Sequence, residues 1–551
     1  MKFFKDKIFF PLNIFKKNDL YSFLIYFLVL IIFLRTVEQL FGKSTYDWDI
    51  DHMMYYSGRL LRGELSYVEE FDDKLPIIPY LFLIPSYFKN VNLWTLFSIL
   101  ISFFTSFKLF VFTRNTGINE WNIKDFQLIN KAALLSSLFF LFLTSTLYGS
   151  FSHINSMATS FSILALIYYS KIFQQNLVQN RKIRNLLTSS LLGALSISIR
   201  PYFAPAILLV IVWSHLRKCN LKNSGKILIK YFNFFLLLKR IIVYTFLLIF
   251  FGLIINTTPY IVNGNVESFI NGIYLNSLSL YPTNSWLVFK DKLNLLLLDL
   301  GNFESLIYLP FLVVFAFLII TLYFSEKNKF SNIIFIDLIF LSILSPLSIF
   351  IIILNKHFWA HYIQFYIGYS AISIFFITII FKKTFGKVFD FKIKNFVSLL
   401  IIIISLTFLG RQELIKSIYK FSVISRDHYM QSNLEKVEDF LDQRKIQSKK
   451  IDFLYPEGIY VHWQLNEPRY GFPHSAHFKY IEKGFWSKVR LGIKDNENYS
   501  KKGFCNMLRE DSPTLIFTEK NSYVYRCLNS AKKKKRDKVQ LSKKLYVFIE
   551  K

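Results

Sequence analysis

The chain has 551 residues, 53% of them hydrophobic, a formal net charge of +29 and only three cysteines. Its apolar residues gather into runs of bilayer-crossing length, roughly 20 residues each, which excludes an ordinary water-soluble globular protein. The positive charge does not point to nucleic acid, because the basic residues sit in short loops between apolar runs, where they report membrane topology.

Lys2, Lys5, Lys7, Lys16 and Lys17 precede the first apolar run, Leu20–Leu34, and place the N-terminus in the cytoplasm. That run lacks a small-residue cleavage site and leads directly into acid, so it reads as a signal anchor. The acid lies between Tyr46 and Pro76, within a first extracytoplasmic loop spanning 36–76. It gathers Asp47, Asp49, Asp51, Glu64, Glu69, Glu70, Asp72 and Asp73, only partly opposed by Lys43, Arg59, Arg62 and Lys74. A basic chain has no compositional reason to concentrate carboxylates there, so chemistry is the better explanation.

Two local geometries are open for Asp47-Trp48-Asp49-Ile50-Asp51. If extended, all three carboxylates share one side; if helical, Asp47 and Asp51 stack while Asp49 faces away. Either crowds like charges near an apolar surface, which suits a general base or a metal site. Asp73 and Lys74 follow, just before an apolar segment broken by Pro76, Pro79 and Pro85. An ammonium there either holds a lipid phosphate or snorkels to the interface.

Further apolar runs occupy Leu93–Phe112, Ile241–Ile255, Leu306–Tyr323, Ile333–Ile353, Tyr362–Phe381 and Phe396–Leu409. Lys- and Arg-rich loops alternate with poor ones, and the alternation closes with about 11 spans, the N-terminus inside and the C-terminus outside. The spans flanking Arg200-Pro201 are short and broken by proline. Arg200 falls on the outer side, where an arginine is costly unless paired or functional. His153 and Asn155 face the same side, and Lys356, His357, His361 and Tyr362 open another span there, offering cations and donors to an anionic head group. The spans themselves read as almost wholly apolar, with charge at their outer ends. Residues 1–410 thus form a transmembrane domain.

Residues 411–551 are polar and contain no spanning run. Strand-like IDFLYP and TLIFTE alternate with helix-like LEKVEDFLDQR, which suggests a soluble extracytoplasmic α/β domain. Cys505 and Cys527 lie in it, either as a disulfide or as buried thiols. The fold class is therefore a polytopic α-helical membrane protein with a C-terminal α/β domain.

The arrangement resembles the GT-C superfamily of integral-membrane glycosyltransferases, above all the protein-mannosyltransferases and the bacterial lipid A aminoarabinose transferases. The resemblance is carried by Asp49-Ile50-Asp51, then Tyr55, Arg59-Leu60-Leu61, Gly63 and Tyr67, the Asp73-Lys74-Leu75-Pro76 step, and His361-Tyr362 at the start of a span. Two departures stand out: the family's usual Asp-Glu is Asp49-Ile50-Asp51 here, and Leu75 replaces the first of two prolines. The resemblance implies a polyprenyl-phosphate-linked sugar donor, a hydroxyl acceptor on a lipid, glycan or protein, and an inverting single displacement at the outer face of a bacterial plasma membrane. Asp49, at the family's distance before Arg59, is favoured as the base, with Asp51 second. Lys74, Arg200 and His361 would stabilise the leaving phosphate, and Asp73, Tyr55, Arg59 and Tyr362 complete the substrate contacts. A divalent metal held by Asp51, Asp73 and a histidine is compatible with the acids, although no tight ligand spacing requires it.

Competing readings are an O-antigen polymerase or ligase, a transporter of lipid-linked sugars, and an inactive scaffold. The first would keep its large outer loop late among the spans. The transporter would want paired repeats and ionisable groups within its spans.

Overall fold

The computed structural model describes residues 20–41, 48–65, 75–146, 151, 153–173, 178–222, 234–270, 364–385, 426–444, 451–454, 515–520, 522–529 and 536–550, with scattered positions between 334 and 344. The apolar runs Leu306–Tyr323 and Phe396–Leu409, and most of Ile333–Ile353, lie outside these residues, as does Cys505.

Along the chain the helices are α1 (Leu20–Phe41), α2 (Trp48–Leu61), α3 (Ile77–Leu81), α4 (Leu83–Tyr87), α5 (Val91–Asn115), α6 (Phe126–Thr146), α7 (Ile154–Lys171), α8 (Gln179–Ile199), α9 (Ala204–Lys222), α10 (Phe234–Val262) and α11 (Gln364–Phe385). A π-helical turn, Thr116–Glu120, extends α5, and a 3-10 turn, Pro201–Phe203, joins α8 to α9. Among the described residues three helical stretches are long and apolar enough to cross a membrane: Val91–Glu120, Phe126–Ser145 and Phe234–Val262. Pro201–Arg217 and Gly368–Ile379 are apolar but shorter. The proline-rich segment after the acidic loop forms α3 and α4, with Phe82 between them.

The chain divides into two compact units. The first comprises Met1–Leu40, Thr95–Ile255 and Trp286–Phe421; the second comprises Phe41–Trp94, Asn256–Ser285 and Ser422–Lys551.

In the first unit, small residues let helices pack closely, which is how helices associate where no water drives them together. Ser189 and Ser196 of α8 donate to the carbonyls of Ala165 and Ala158 on α7 at 2.7 and 2.8 Å. Ser136 of α6 donates to the Ala371 carbonyl of α11 at 2.6 Å. Where α11 meets α7, a Cβ on Gly368 would lie 2.2 Å from the Ile163 side chain. Only glycine admits that approach.

The first unit also holds a buried charge network, which corrects the reading of its spans as almost wholly apolar. Asp337, fully buried and within the Ile333–Ile353 run, pairs with Arg217 at 2.7 Å. It accepts from the indoles of Trp121 and Trp213 at 2.9 and 2.8 Å, and Arg217 also pairs with Glu120. A single acid in an apolar run carries no sign of its partners, which come from two distant segments.

In the second unit, α12 (Arg426–Gln443), β1 (Ile451–Leu454), β2 (Leu515–Glu519), α13 (Tyr523–Asn529), β3 (Arg536–Gln540) and β4 (Leu545–Glu550) include a four-stranded sheet of order β1-β2-β4-β3. β1 and β2 are parallel, and β4 is antiparallel to both β2 and β3. Leu434, Val437 and Phe440 recur at helical spacing on α12 and bury against Ile451, Leu515, Phe517, Leu545 and Val547. Cys527 is disulfide-bonded, which decides between the two states left open for it.

Candidate active site

The acid-bearing segment is helical from Trp48 onward, which decides between the extended and helical geometries. Helical spacing sets positions 49 and 51 about 200° apart around the axis, so they do not share a face. Asp51, Tyr55 and Arg59 instead repeat every fourth residue along one side of α2, and all three are buried, at 6%, 2% and 8% exposure. Arg59 lies over the Tyr55 ring, 5.9 Å from its centroid.

Gly63 brings Arg59 its counter-ion. The helix ends at Leu61, and Gly63 takes φ +85, a conformation open to glycine. The turn lets the Glu64 N–H donate back to the Arg59 carbonyl at 3.1 Å. Its carboxylate then accepts from Arg59 at 2.6 Å and Arg62 at 2.9 Å. Burial pushes the Glu64 carboxyl up, but its hydrogen bond to Arg62 and the charges of both arginines outweigh it, so its pKa lies below the usual carboxylate value. Burial pulls the Arg59 guanidinium down, and Tyr55 and Glu64 more than offset that, so it stays charged.

The helix is held from behind. Ser86 of α4 donates to the Met54 carbonyl at 2.9 Å, and Gly58 faces that hydroxyl. The first N–H of α3, at Ile77, is capped by the Asn256 side chain at 3.1 Å. On the neighbouring stripe of α2, His52 is buried with its ring 4.6 Å from that of Tyr56. His52 belongs to none of the motifs that the sequence displays. Its place directly after Asp51, on a segment with an apolar helical face, was the available signal.

Arg200 belongs to the first unit. It caps α8 with extended backbone, as a residue before proline must, and is 8% exposed. Its Nε donates to Asn155 Oδ1, and His153 caps α7 by accepting from the Asn155 N–H at 3.1 Å. The structure thus brings Arg200 to Asn155 and its neighbour His153, which lie far earlier in the sequence. Beside the start of α7, Gln39 accepts from the Phe151 N–H at 2.8 Å, and Arg35 donates to the Ser145 carbonyl at 3.1 Å.

Asp47, Tyr67, Glu69, Glu70, Asp72, Asp73, Lys74, Lys356, His357, His361 and Tyr362 lie outside the described residues, and of Asp49 the backbone alone is described. Among the described residues no three His, Cys, Asp or Glu side chains come together as a metal site. Asp73, the further acid required for one, is not among them.

No family model matches the sequence, and no curated protein matches it. Among solved structures the chain is similar to ArnT from Cupriavidus metallidurans bound to undecaprenyl phosphate, with 10% identity and a TM-score of 0.54. That likeness covers 95% of this chain and 97% of that one. The same protein in its apo state has 10% identity, the same coverage and a TM-score of 0.49. Archaeal oligosaccharyltransferase AglB from Archaeoglobus fulgidus, in complex with an inhibitory peptide and a dolichol-phosphate, has 10% identity, coverage of 90% and 69%, and a TM-score of 0.46. The latter two fall below the likeness that establishes a shared fold. The likeness to ArnT establishes one.

Proposed function

We propose that the chain is an integral-membrane glycosyltransferase, moving a sugar from a polyprenyl-phosphate-linked donor to a hydroxyl group of a lipid, glycan or protein. The observation that carries this reading is the fold shared with ArnT over nearly the whole of both chains, in a structure holding undecaprenyl phosphate. The acid-bearing α2, with Asp51, Tyr55 and Arg59 buried along one side, supports it.

The reaction is one displacement. The acceptor oxygen attacks the anomeric carbon, the bond from that carbon to the phosphate oxygen breaks, and the acceptor's proton passes to Asp49 or Asp51. Negative charge grows on the departing phosphate, where Lys74, Arg200 and His361 act, so their positive charge favours the transition state over the bound donor. Asp73, Tyr362, Tyr55 and Arg59 position the substrates. With no enzyme nucleophile, the anomeric configuration inverts.

The site faces away from the cytoplasm. The basic residues before the first apolar run place the N-terminus inside and the acidic loop that follows outside, and the Cys527 disulfide suits an oxidising compartment.

The test is release of polyprenyl phosphate from a panel of lipid-linked sugars, comparing the purified parent with its Asp49→Asn and Asp51→Asn variants. We expect turnover to fall about 100-fold or more in one variant, which names the base. Undiminished turnover in both moves the base elsewhere. A parent that transports lipid-linked sugars but turns over none of the panel overturns the transferase reading.

A further inference from the structure

A second basic site lies at the far end of α7 from His153, about 26 Å away along that helix. There the last part of α5, its π-helical turn and the end of α7 enclose a cavity of about 270 Å³. Lys108 and Lys171 both line it, with Asn115, Thr116 and Glu120. Among the described residues neither lysine has a carboxylate partner. Glu120 is already engaged by Arg217, so the cavity keeps two uncompensated cations. The Thr116 hydroxyl is buried there and makes no hydrogen bond among the described residues.

Lysines that merely snorkel extend their ammonium groups towards water. These two fold back along their helices instead. Lys108 Nζ lies 5.0 Å from the centroid of the Phe104 ring, and Lys171 Nζ lies 4.9 Å from that of Tyr168. The approach to the cavity is apolar and open, since Phe107, which lines it, and Phe104, against which Lys108 lies, are exposed at 60% and 47%. On a helix long and apolar enough to span a membrane, such a face meets acyl chains. A ligand arriving by that route carries its own hydrocarbon and ends in an anion.

We infer that this cavity binds the phosphodiester head group of an anionic phospholipid, held between the Lys108 and Lys171 ammonium groups with the Thr116 hydroxyl donating to a phosphate oxygen. The site lies at the opposite end of α7 from the Arg200 cluster, so it is separate from the proposed donor site and does not depend on the glycosyl-transfer reading.

The experiment measures thermal unfolding of the full chain in neutral detergent. The chain is titrated with phosphatidylglycerol, phosphatidylcholine or inorganic phosphate, in the parent and in a Lys108→Gln/Lys171→Gln variant. We expect phosphatidylglycerol to stabilise the parent, with the concentration for half-maximal effect rising about tenfold or more in the variant. Phosphatidylcholine and inorganic phosphate should leave the parent little changed. An equal response of parent and variant to phosphatidylglycerol overturns the site. Inorganic phosphate stabilising the parent as strongly as the lipid overturns the lipid assignment in favour of a free-anion site. Should the double variant fail to fold, Lys171→Gln alone, at the helix end, carries the same comparison with an expected shift of about fivefold.

Discussion

Arg59 is buried and charged at once because Glu64 comes back to meet it across the Gly63 turn. Two predictions belong to this pair. A Cβ on Gly63 would touch nothing within 4 Å, so Gly63→Ala strains only the backbone and should cost about 1 kcal/mol of stability, read as a lower melting temperature. Glu64 has a depressed pKa in the folded chain, so its contribution is complete above the ordinary glutamate value and is lost as pH falls through the lowered one. Glu64→Gln should therefore destabilise by about 1 kcal/mol or less at neutral pH, discounted because the carboxylate is partly exposed. Melting curves of parent and variant should converge as the pH drops through that range. His52 stands beside Asp51 in sequence but on another stripe of the helix, a distinction that helical geometry makes and residue adjacency does not.

At the level of elements, two contacts hold the first unit to a definite packing. Gly368→Ala would drive a Cβ into the Ile163 side chain, and overpacking of that kind should cost about 1–3 kcal/mol, measured as loss of the folded fraction in denaturant. The Arg217–Asp337 pair is buried and joins segments far apart in the chain. Removing one member strands a charge, so Asp337→Leu should destabilise by about 3–5 kcal/mol. Adding Arg217→Met should recover part of that loss, because an apolar pair leaves fewer charges buried. A double variant no more stable than the worse single variant would show that Arg217 matters chiefly through Glu120. Amphipathic α12 was legible as LEKVEDFLDQR, since Leu434, Val437 and Phe440 carry its period, whereas the order β1-β2-β4-β3 had no signature in strands as short as IDFL.

For the whole molecule, the disulfide at Cys527 gives a direct prediction: it should resist alkylation in the unfolded chain until a reductant is added, read by mass spectrometry of its peptide. The apolar membrane-crossing runs, the gathering of acid between Tyr46 and Pro76 and the run Tyr55…Arg59-Leu60-Leu61…Gly63 were readable before any coordinates, because hydropathy and motif spacing are properties of the chain taken in order. The same order left Asp47–Asp51 open between strand and helix, as a five-residue alternation of acid and apolar side chains fits either period until its neighbours pack against it. The pairing of Arg200 with Asn155, the Glu64 return to Arg59, the Trp121–Asp337–Arg217 network and the cavity between Lys108 and Lys171 came only with the folded chain. Apolar periodicity tells which residues leave water; which polar groups then meet depends on helix rotation and crossing, set by the shapes of side chains distant in sequence.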